Sequence, residues 1–579
     1  MFVFIKILIL TLFINCAFHN TYSQDVIDFE VVFKENNEEL HNDIQYNTQL
    51  SLQVEVDHEL ENIFEQLHYL GFLTAEKVSC NRDSLKVKCT LKPGEKIKYF
   101  LEPGNLGEEV KATLSDDKYF GSDGIIPGKY ENLTKEILEF LQNNGYPFAN
   151  VSLNSPKIKG DSIIGKLFVD PSNYIVFDSL QVEGNVNINP RFLAMHTGIK
   201  PEKSYSEDVF KNLDDKLKAL DFVEITGEPV VLFTETHAEV NVGLEKRSAN
   251  RFDGIAGVVY DEGVDNAMRL TGQLNLHLIN SFERGEWMDF RWQGLGHGTQ
   301  SLDLTAGYPY LFYSSFMAEM KFRMRKQDST YLQIERKPAL GYRFSNNFSA
   351  DIFVDWKTSE LLEVERYQLA DELPGIIDYQ TILYGISANY RSELFNIDPR
   401  EGFNHSIQVA AGNRNIKKNN SLPDHIYDDI ELKSNQYTGR LSLQHVFPFM
   451  DRSAVFLKGD GGIMIGDGIF DNELFRIGGL NSLRGFDEES ILASAYGYFL
   501  AEYRYVIGHN SYLSVFANGG FFERKTTSTY KDLPMGAGVG ISQELPAGIM
   551  SLFFAFGKRQ EEPVNFNDVK VHVGFVSTF

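Results

Sequence analysis

The sequence predicts a transmembrane β-barrel of about 16 antiparallel strands, preceded by a series of α+β domains. Three observations predict it. Apolar and polar residues alternate with period two, segment after segment, from residue 248 to 579, with almost no helical periodicity. A leader-like N-terminus is followed by no second apolar stretch of the roughly 18 residues that a spanning helix needs. The last segment, Val569–Phe579, sets Val569, Val571, Val573, Phe575 and Phe579 on one face and ends on an aromatic residue.

The leader comes first. Lys6 supplies a positive charge, Ile7–Ile14 an apolar run, and Ala17–Gln24 a small and polar exit. These are the parts of a secretory signal peptide, expected over 1–23 with cleavage near Ser23. Asn15 before Cys16 fits a lipidation site poorly. Beyond the leader, the chain is either soluble or a closed barrel, because only helices and closed barrels satisfy their backbone in lipid. A mean hydropathy of −0.25 does not separate the two, since a barrel alternates its lipid-facing residues with polar ones. An aromatic content of 13% favours a barrel with aromatic girdles. The net charge of −25 argues against a nucleic-acid partner and against a polybasic membrane anchor.

The N-terminal domains follow, over residues 24–247. Leu60–Leu70 reads as a helix ended by Gly71-Phe72, with a hairpin after it that carries Cys80 and Cys89. A turn around Asn81–Ser84 sets Cys80 opposite about residue 85 and Cys89 opposite about residue 76, so the two are not expected to be cross-strand partners. An oxidising compartment still leaves a disulfide open. Next, Asn132 or Thr134 can cap a helix bearing Ile137, Leu138, Phe140 and Leu141, with strands at Ala149–Leu153 and Ile163–Val169. The last copy has a strand through Val176, Leu180 and Val182, a short helix at Pro190–His196, and a second helix after Ser206. On that helix Val209, Phe210, Leu213, Leu217 and Leu220 share one face. Strands at Phe222–Gly227 and Val230–Leu244 close it. The recurring order predicts three related units, at 24–104, 105–172 and 173–247.

The barrel is expected over 248–579. In Phe316–Arg325, Phe316, Ala318, Met320, Phe322 and Met324 alternate with Glu319, Lys321, Arg323 and Arg325. Met288, Phe290 and Trp292 alternate with Asp289, Arg291 and Gln293. Tyr437, Leu441 and Leu443 stand against Thr438, Arg440, Ser442 and Gln444. Soluble sandwiches alternate too, but here the pattern runs through a range without helices to cover it. In the last segment Val569, Val571, Val573, Phe575 and Phe579 share one face.

The most informative peptide is Arg476–Phe486, RIGGLNSLRGF. It resembles the loop motif of the BamA/TamA superfamily of outer-membrane assembly and secretion barrels, the bacterial surface antigen family. Leu483-Arg484-Gly485-Phe486 matches the family's Val/Leu-Arg-Gly-Phe tetrad, and Gly478 and Gly479 fit upstream of it. Asp398, Pro399, Arg400 and Gly402 resemble its Asp-Pro-Arg-x-Gly segment, and Gly307-Tyr-Pro-Tyr310 its early-barrel aromatic turn. The α+β units look like the family's periplasmic POTRA domains. Three of them are closest to TamA, BamA carrying more and two-partner secretion transporters fewer.

The resemblance implies several things. The motif loop folds into the lumen, where Arg484 meets an acid on the wall, and Glu502 matches the family's acidic position. A guanidinium in a confined lumen needs charge-paired hydrogen bonds. The glycines permit a tight backbone, and Phe486 packs the loop. The family's second acid is expected at Ala517, where this chain has none, with Asn518 on the opposite face, so Glu502 alone or an acid such as Asp460 is expected to neutralise Arg484. Phe575 and Phe579 resemble the C-terminal targeting strand of outer-membrane barrels. The implied role is insertion or translocation of other proteins at the bacterial outer membrane without ATP, through a weak seam that would join a strand near Phe252–Val259 to Val569–Phe579, with the N-terminal domains in the periplasm. A dedicated two-partner-type secretion pore and a passive porin are the alternatives. Implied partners are outer-membrane lipid, unfolded outer-membrane or secreted clients and a TamB-like periplasmic protein.

No Gly-x-Ser-x-Gly elbow, His-Glu-x-x-His pair or phosphate loop occurs, so no enzyme and no cofactor is expected. Gly294, Gly296 and Gly298 read as a hairpin turn; Gly536, Gly538 and Gly540 read as a strand that makes room on its lumen face. Asp460 and Asp467 are explained by a strand and its turn without a metal.

Overall fold

The computed structural model describes residues 27–578, apart from 35–37, 51–52, 84–85, 115, 262–266, 297, 346, 369–373, 393–399, 429, 509, 527, 546–547 and 561–568. The expected leader and Phe579 lie outside the described residues. The chain forms two compact units. One runs up to Phe177 and includes Glu202–Asp208 and Phe233–Ala238; the other holds Asp178–Pro201, Val209–Leu232 and Glu239–Phe579.

In the first unit, Ile27–Phe33 pairs in parallel with Lys86–Lys92, inside a four-stranded sheet whose outer member is Glu76–Asp83. The helix Gln53–Leu70 covers it with Val56, Leu60, Ile63 and Leu67 on one buried stripe. Gly71, at φ +112°, ends it, because only a residue without Cβ takes that conformation cheaply. A second sheet orders Lys98–Glu102, Ser162–Asp170 and Asn150–Lys159. Its helix starts at Pro127, earlier than expected, with proline in the first turn where a missing N–H costs nothing. Leu133, Ile137 and Leu141 are its buried face.

The cysteine reading is corrected. Cys80 and Cys89 are register partners and form a disulfide, with Cα atoms 4.0 Å apart. Asp83 pairs with Lys86, so the hairpin is centred two residues later than expected, which moves the partner of Cys80 by four. Asn81, Arg82 and Asp83 suggested a turn, but they belong to an edge strand, where polar side chains face water.

Strands Val176–Glu183, Val223–Ile225, Val230–Phe233 and His237–Lys246 make a third sheet. The long strand expected over Val230–Leu244 is a hairpin, closed by Thr234 N–H to His237 O at 2.8 Å. In the second unit the helix Pro190–Thr197 has every local stop and start signal. Asn189 Oδ1 accepts from the N–H of Arg191 (2.9 Å) and Phe192, Pro190 opens the helix, and Gly198 at φ +84° closes it.

The rest is one antiparallel barrel. Its strands are β1 Arg251–Asp261, β2 Ala267–Ile279, β3 Trp287–Gly296, β4 Thr299–Leu311, β5 Phe316–Gln327, β6 Tyr331–Arg343, β7 Phe348–Leu361 and β8 Tyr379–Arg391. They continue as β9 Gly402–Ile416, β10 Lys433–Met450, β11 Ser453–Gly466, β12 Ala495–Gly508 and β13 Ser511–Lys525. Thr529–Asp532 and Met535–Leu545 both pair with β13 and are two halves of β14, interrupted at Leu533-Pro534. β15 is Gly548–Lys558 and β16 Val569–Thr578, which makes sixteen strands.

The alternation reads directly onto the wall. Ile352, Ile386 and Val515 are each 60% exposed on the outer surface, within a belt that includes Tyr384, Ile463, Phe499 and Val539. A water-soluble chain does not expose apolar surface on that scale, whereas a barrel in lipid requires it. Ser387, Gln436, Glu502 and Asn518 are buried polar residues of the inner face.

Candidate functional site: the lumen loop and the seam

The segment Asp467–Ser494 leaves β11 and returns to β12 through the barrel interior. It carries its own small hairpin, Phe475–Ile477 with Ile491–Ala493. Leu474, Phe475, Ile477, Leu483, Phe486 and Ile491 form an apolar core with Tyr498 and Phe522 of the wall. Gly478 and Gly479, at φ +122° and +101°, turn the chain, and the Gly478 N–H bonds Ser482 Oγ at 2.9 Å. Gly485, at φ +95°, lies so close to β15 that a Cβ would sit 2.7 Å from Phe556 backbone atoms. Gly536 lets the Arg484 carbonyl approach β14; Gly538 and Gly540 leave space for the Phe516 and Phe553 rings.

Those rings flank the Arg484 guanidinium, at 4.7 and 4.4 Å. Arg484 Nη1 donates to Glu502 Oε2 at 2.7 Å, and its Nε to the Leu480 carbonyl at 3.2 Å. Glu502 is fully buried, and its second oxygen accepts from Arg504 Nε at 3.0 Å. One carboxylate thus holds two guanidiniums, both oxygens engaged, which is the condition under which a buried ion pair is tolerable.

Arg504, Phe516 and Phe553 were not singled out in the sequence. Arg504 had a visible signal, since it shares Glu502's parity in Ala501-Glu-Tyr-Arg504. Nothing local marks the two rings. The face assignment near Ala517 is corrected: Ala517 is exposed on the outer surface and Asn518 is the inward residue. Asn518 Nδ2 donates to the Arg484 carbonyl at 3.2 Å, so an amide stands on the wall beside the loop. Asp460 is engaged elsewhere, by Tyr496 OH at 2.9 Å.

Further ties brace the loop. Glu473 pairs with Arg414 of β9 (3.1 Å), both almost completely buried. Asp471 binds Arg524 of β13 (3.0 Å), Glu489 binds Arg325 of β5, and Arg476 binds Tyr331 of β6. On the last strand, Lys570 reaches Asp487 at 3.0 Å, and the Gly485 N–H faces His572 Nε2 at 3.5 Å. Of the other expected motif residues, Gly402 opens β9 at φ +129° and Arg400 lies just before it, while Asp398 and Pro399 are outside the described residues. Phe575 lies on β16.

The seam is the second feature. β1 pairs with β2 from Arg251↔His277 to Asp261↔Ala267. Against β16 it pairs only at Arg251↔Thr578 and Phe252↔Ser577. Beyond Phe252, β1 has no partner on that side among the described residues, although its ladder with β2 continues for nine more positions. An antiparallel strand left unpaired on one edge is a template for another strand.

The aromatic turn after β4 anchors the helix Pro190–Thr197 within the same unit. Tyr310 OH meets His196 Nδ1 at 3.1 Å and accepts from Arg343 Nη1 at 3.0 Å. His196 Nε2 donates to the Lys216 carbonyl at 2.6 Å, and Phe192 packs on Tyr310. Burial lowers the His196 imidazole to about 4.

Sixteen strands, a lipid-facing apolar belt, an arginine-bearing lumen loop and a short seam define an outer-membrane-type β-barrel. Residues 294–575 match the Omp85 superfamily domain, and the barrel is of the Omp85 type. No curated protein matches the chain. Among solved structures, the chain is similar to CdiB from Acinetobacter baumannii, with a TM-score of 0.55, 12% identity and coverage of 83% of this chain and 89% of that one. It is also similar to CdiB from Escherichia coli, with a TM-score of 0.54, 11% identity and coverage of 83% and 90%. BamA from Haemophilus ducreyi lacking POTRA domains 1-3 aligns at a TM-score of 0.45 and 16% identity, covering 83% and 99%. At these identities the similarity concerns the fold. Omp85 proteins act in the insertion or secretion of outer-membrane proteins.

Proposed function

We propose that this protein inserts client proteins into the bacterial outer membrane, or passes them across it, without ATP. The observation that carries the reading is the seam, paired only at Arg251↔Thr578 and Phe252↔Ser577. A client strand can add to the free edge of β1 by β-augmentation, gaining main-chain hydrogen bonds that water offered before. Gly574, inward on β16, contributes no side chain to hold that strand in place. The α+β units 24–104, 105–172 and 173–247 are read as periplasmic POTRA domains that present client segments, with a TamB-like protein as a candidate partner. Membrane lipid faces the apolar belt.

A dedicated secretion pore would need the loop Asp467–Ser494 to leave the lumen. Its pairs to β9, β12 and β13 oppose that, which favours the seam. The test is a Phe252→Cys/Ser577→Cys pair at a register position of the seam. Oxidised, the barrel is expected to lose client insertion in reconstituted vesicles, and reduced to regain it. Full insertion by the oxidised barrel would falsify the seam mechanism. After depletion, a change in many outer-membrane proteins supports insertion, whereas loss of one secreted protein supports the pore.

A further inference from the structure

Below the loop, the lumen widens into a chamber of about 980 Å³ beside the helix Pro190–Thr197. Its lining includes eight Lys or Arg side chains and five carboxylates, an excess of positive charge inside a chain whose net charge is −25. The carboxylates are already engaged. Asp221 lies 3.9 Å from Arg251, Asp289 2.7 Å from His277 and Glu335 3.7 Å from Lys357. Asp303 binds Arg323, and Asp253 accepts from Asn275 at 2.5 Å.

Five cations remain: Arg291 on β3, Lys337 and Arg343 on β6, Arg391 on β8 and Arg440 on β10. Among the described residues, none has a carboxylate oxygen within 4.0 Å. For four of them the hydrogen-bond or ring neighbours are uncharged groups. Arg291 donates to Asn275 (3.2 Å), Lys337 to Gln408 (3.0 Å) and Arg343 to Tyr310, and Arg440 lies over the Phe475 ring. These neighbours orient Arg291, Lys337, Arg343 and Arg440 without a carboxylate in direct contact. Partly enclosed charge of one sign, walled by low-dielectric protein, concentrates the opposite charge.

We propose that this chamber binds an acidic stretch of extended polypeptide. Guanidinium forks match carboxylates two bonds at a time, and the amides of Asn275 and Gln408 suit a peptide backbone. The chamber wall is mixed, with Phe192, Phe222 and Trp287 beside the charged groups, so it is the excess of cations that selects a carboxylate-bearing chain. The inference rests on the reading of the barrel as a handler of client chains and names the class of segment it receives.

The test uses the full-length protein in nanodiscs and a fluorescein-labelled Glu-Gly repeat of about ten residues, the length of one membrane-spanning strand. The Gln-Gly repeat is its control. The acidic repeat is expected to bind at least about tenfold more tightly than the control. Raising salt from about 50 to about 500 mM should weaken it steeply. Arg391→Gln/Arg440→Gln should lower affinity by about tenfold, and Arg391→Lys/Arg440→Lys should restore most of it. A folded-barrel gel shift checks that each variant folds. Equal binding of the two repeats, or no loss in the Gln variant, overturns the proposal. So does displacement of the repeat by short-chain phosphatidylglycerol at lower concentration than by unlabelled acidic repeat, which would make the ligand a lipid. The Phe252→Cys/Ser577→Cys lock leaves these residues untouched. If the lock blocks insertion and the repeat does not bind, only the chamber inference falls; if the repeat binds and the lock has no effect, only the seam reading falls.

Discussion

The seam and the β10–β11 wall are built from the same kind of strand, yet they are held in different ways. β10 and β11 pair along most of their length, from Gln436↔Gly466 to Met450↔Ser453. β1 and β16 pair at two positions. The loop deepens the contrast. Its buried ion pairs reach β9 and β12, through Arg414–Glu473 and Arg484–Glu502. Toward the seam, among the described residues, it reaches β16 through a half-exposed lysine bridge and a long contact to His572. A barrel braced in this way can loosen at one joint while the rest keeps its register.

The braced side should show the largest response. Glu502→Gln leaves the buried Arg484 without its carboxylate, and losing one member of such a pair costs about 3–5 kcal/mol. The temperature at which the folded band disappears in a heated gel should fall, and protease should reach Gly478–Phe486. An unchanged temperature and a resistant loop would show that the brace does not rest on this carboxylate.

A smaller effect is expected at the foot of β4. His196 is held near pKa 4 in the docked helix and titrates near its ordinary 6.5 once released. The docked form is therefore favoured above 6.5. As pH falls from 6.5 to about 4, only the released form takes up the proton, so docking weakens by about 1–2 kcal/mol after screening and then levels off. Hydrogen exchange of Pro190–Thr197, corrected for its intrinsic rate, should rise between about pH 7 and about pH 5. No rise in the native protein would remove His196 from the joint.

The two sides also differed in how far the sequence disclosed them. The strands were legible because inward and outward residues differ in kind, as at Met320 and Lys321. Arg484 and Glu502 stand in recognisable peptides, and they lie 2.7 Å apart. Asn518 was misplaced because one residue of register reverses every side chain, and a four-residue match does not fix register. Cys80 and Cys89 failed for a related reason: polar residues of an edge strand imitate a turn. The resemblance implied a weak seam between a strand near Phe252–Val259 and Val569–Phe579, but nothing local marked its register or how short the pairing is. Which residues of β1 meet β16 depends on how the whole sheet closes, a non-local property that strand length and alternation do not encode.

The smallest effect falls on the seam side, and it bears on whether loop and seam are coupled. Lys570 of β16 reaches Asp487, which is largely exposed, so the bridge contributes about 1 kcal/mol or less. Asp487→Asn should leave the melting of the barrel unchanged, because Arg484–Glu502 and Arg414–Glu473 remain. It should nevertheless speed hydrogen exchange in Val569–Thr578, since β16 has few other restraints on that side. High salt should produce the same increase in the native protein and none in the variant, because screening removes only what Asp487 supplied. If exchange rises equally in β15 and β16, the loop braces both strands alike and the contrast between wall and seam is wrong. If it rises in β16 alone, the loop holds the seam shut through its weakest contact, and whatever displaces Asp487 opens it.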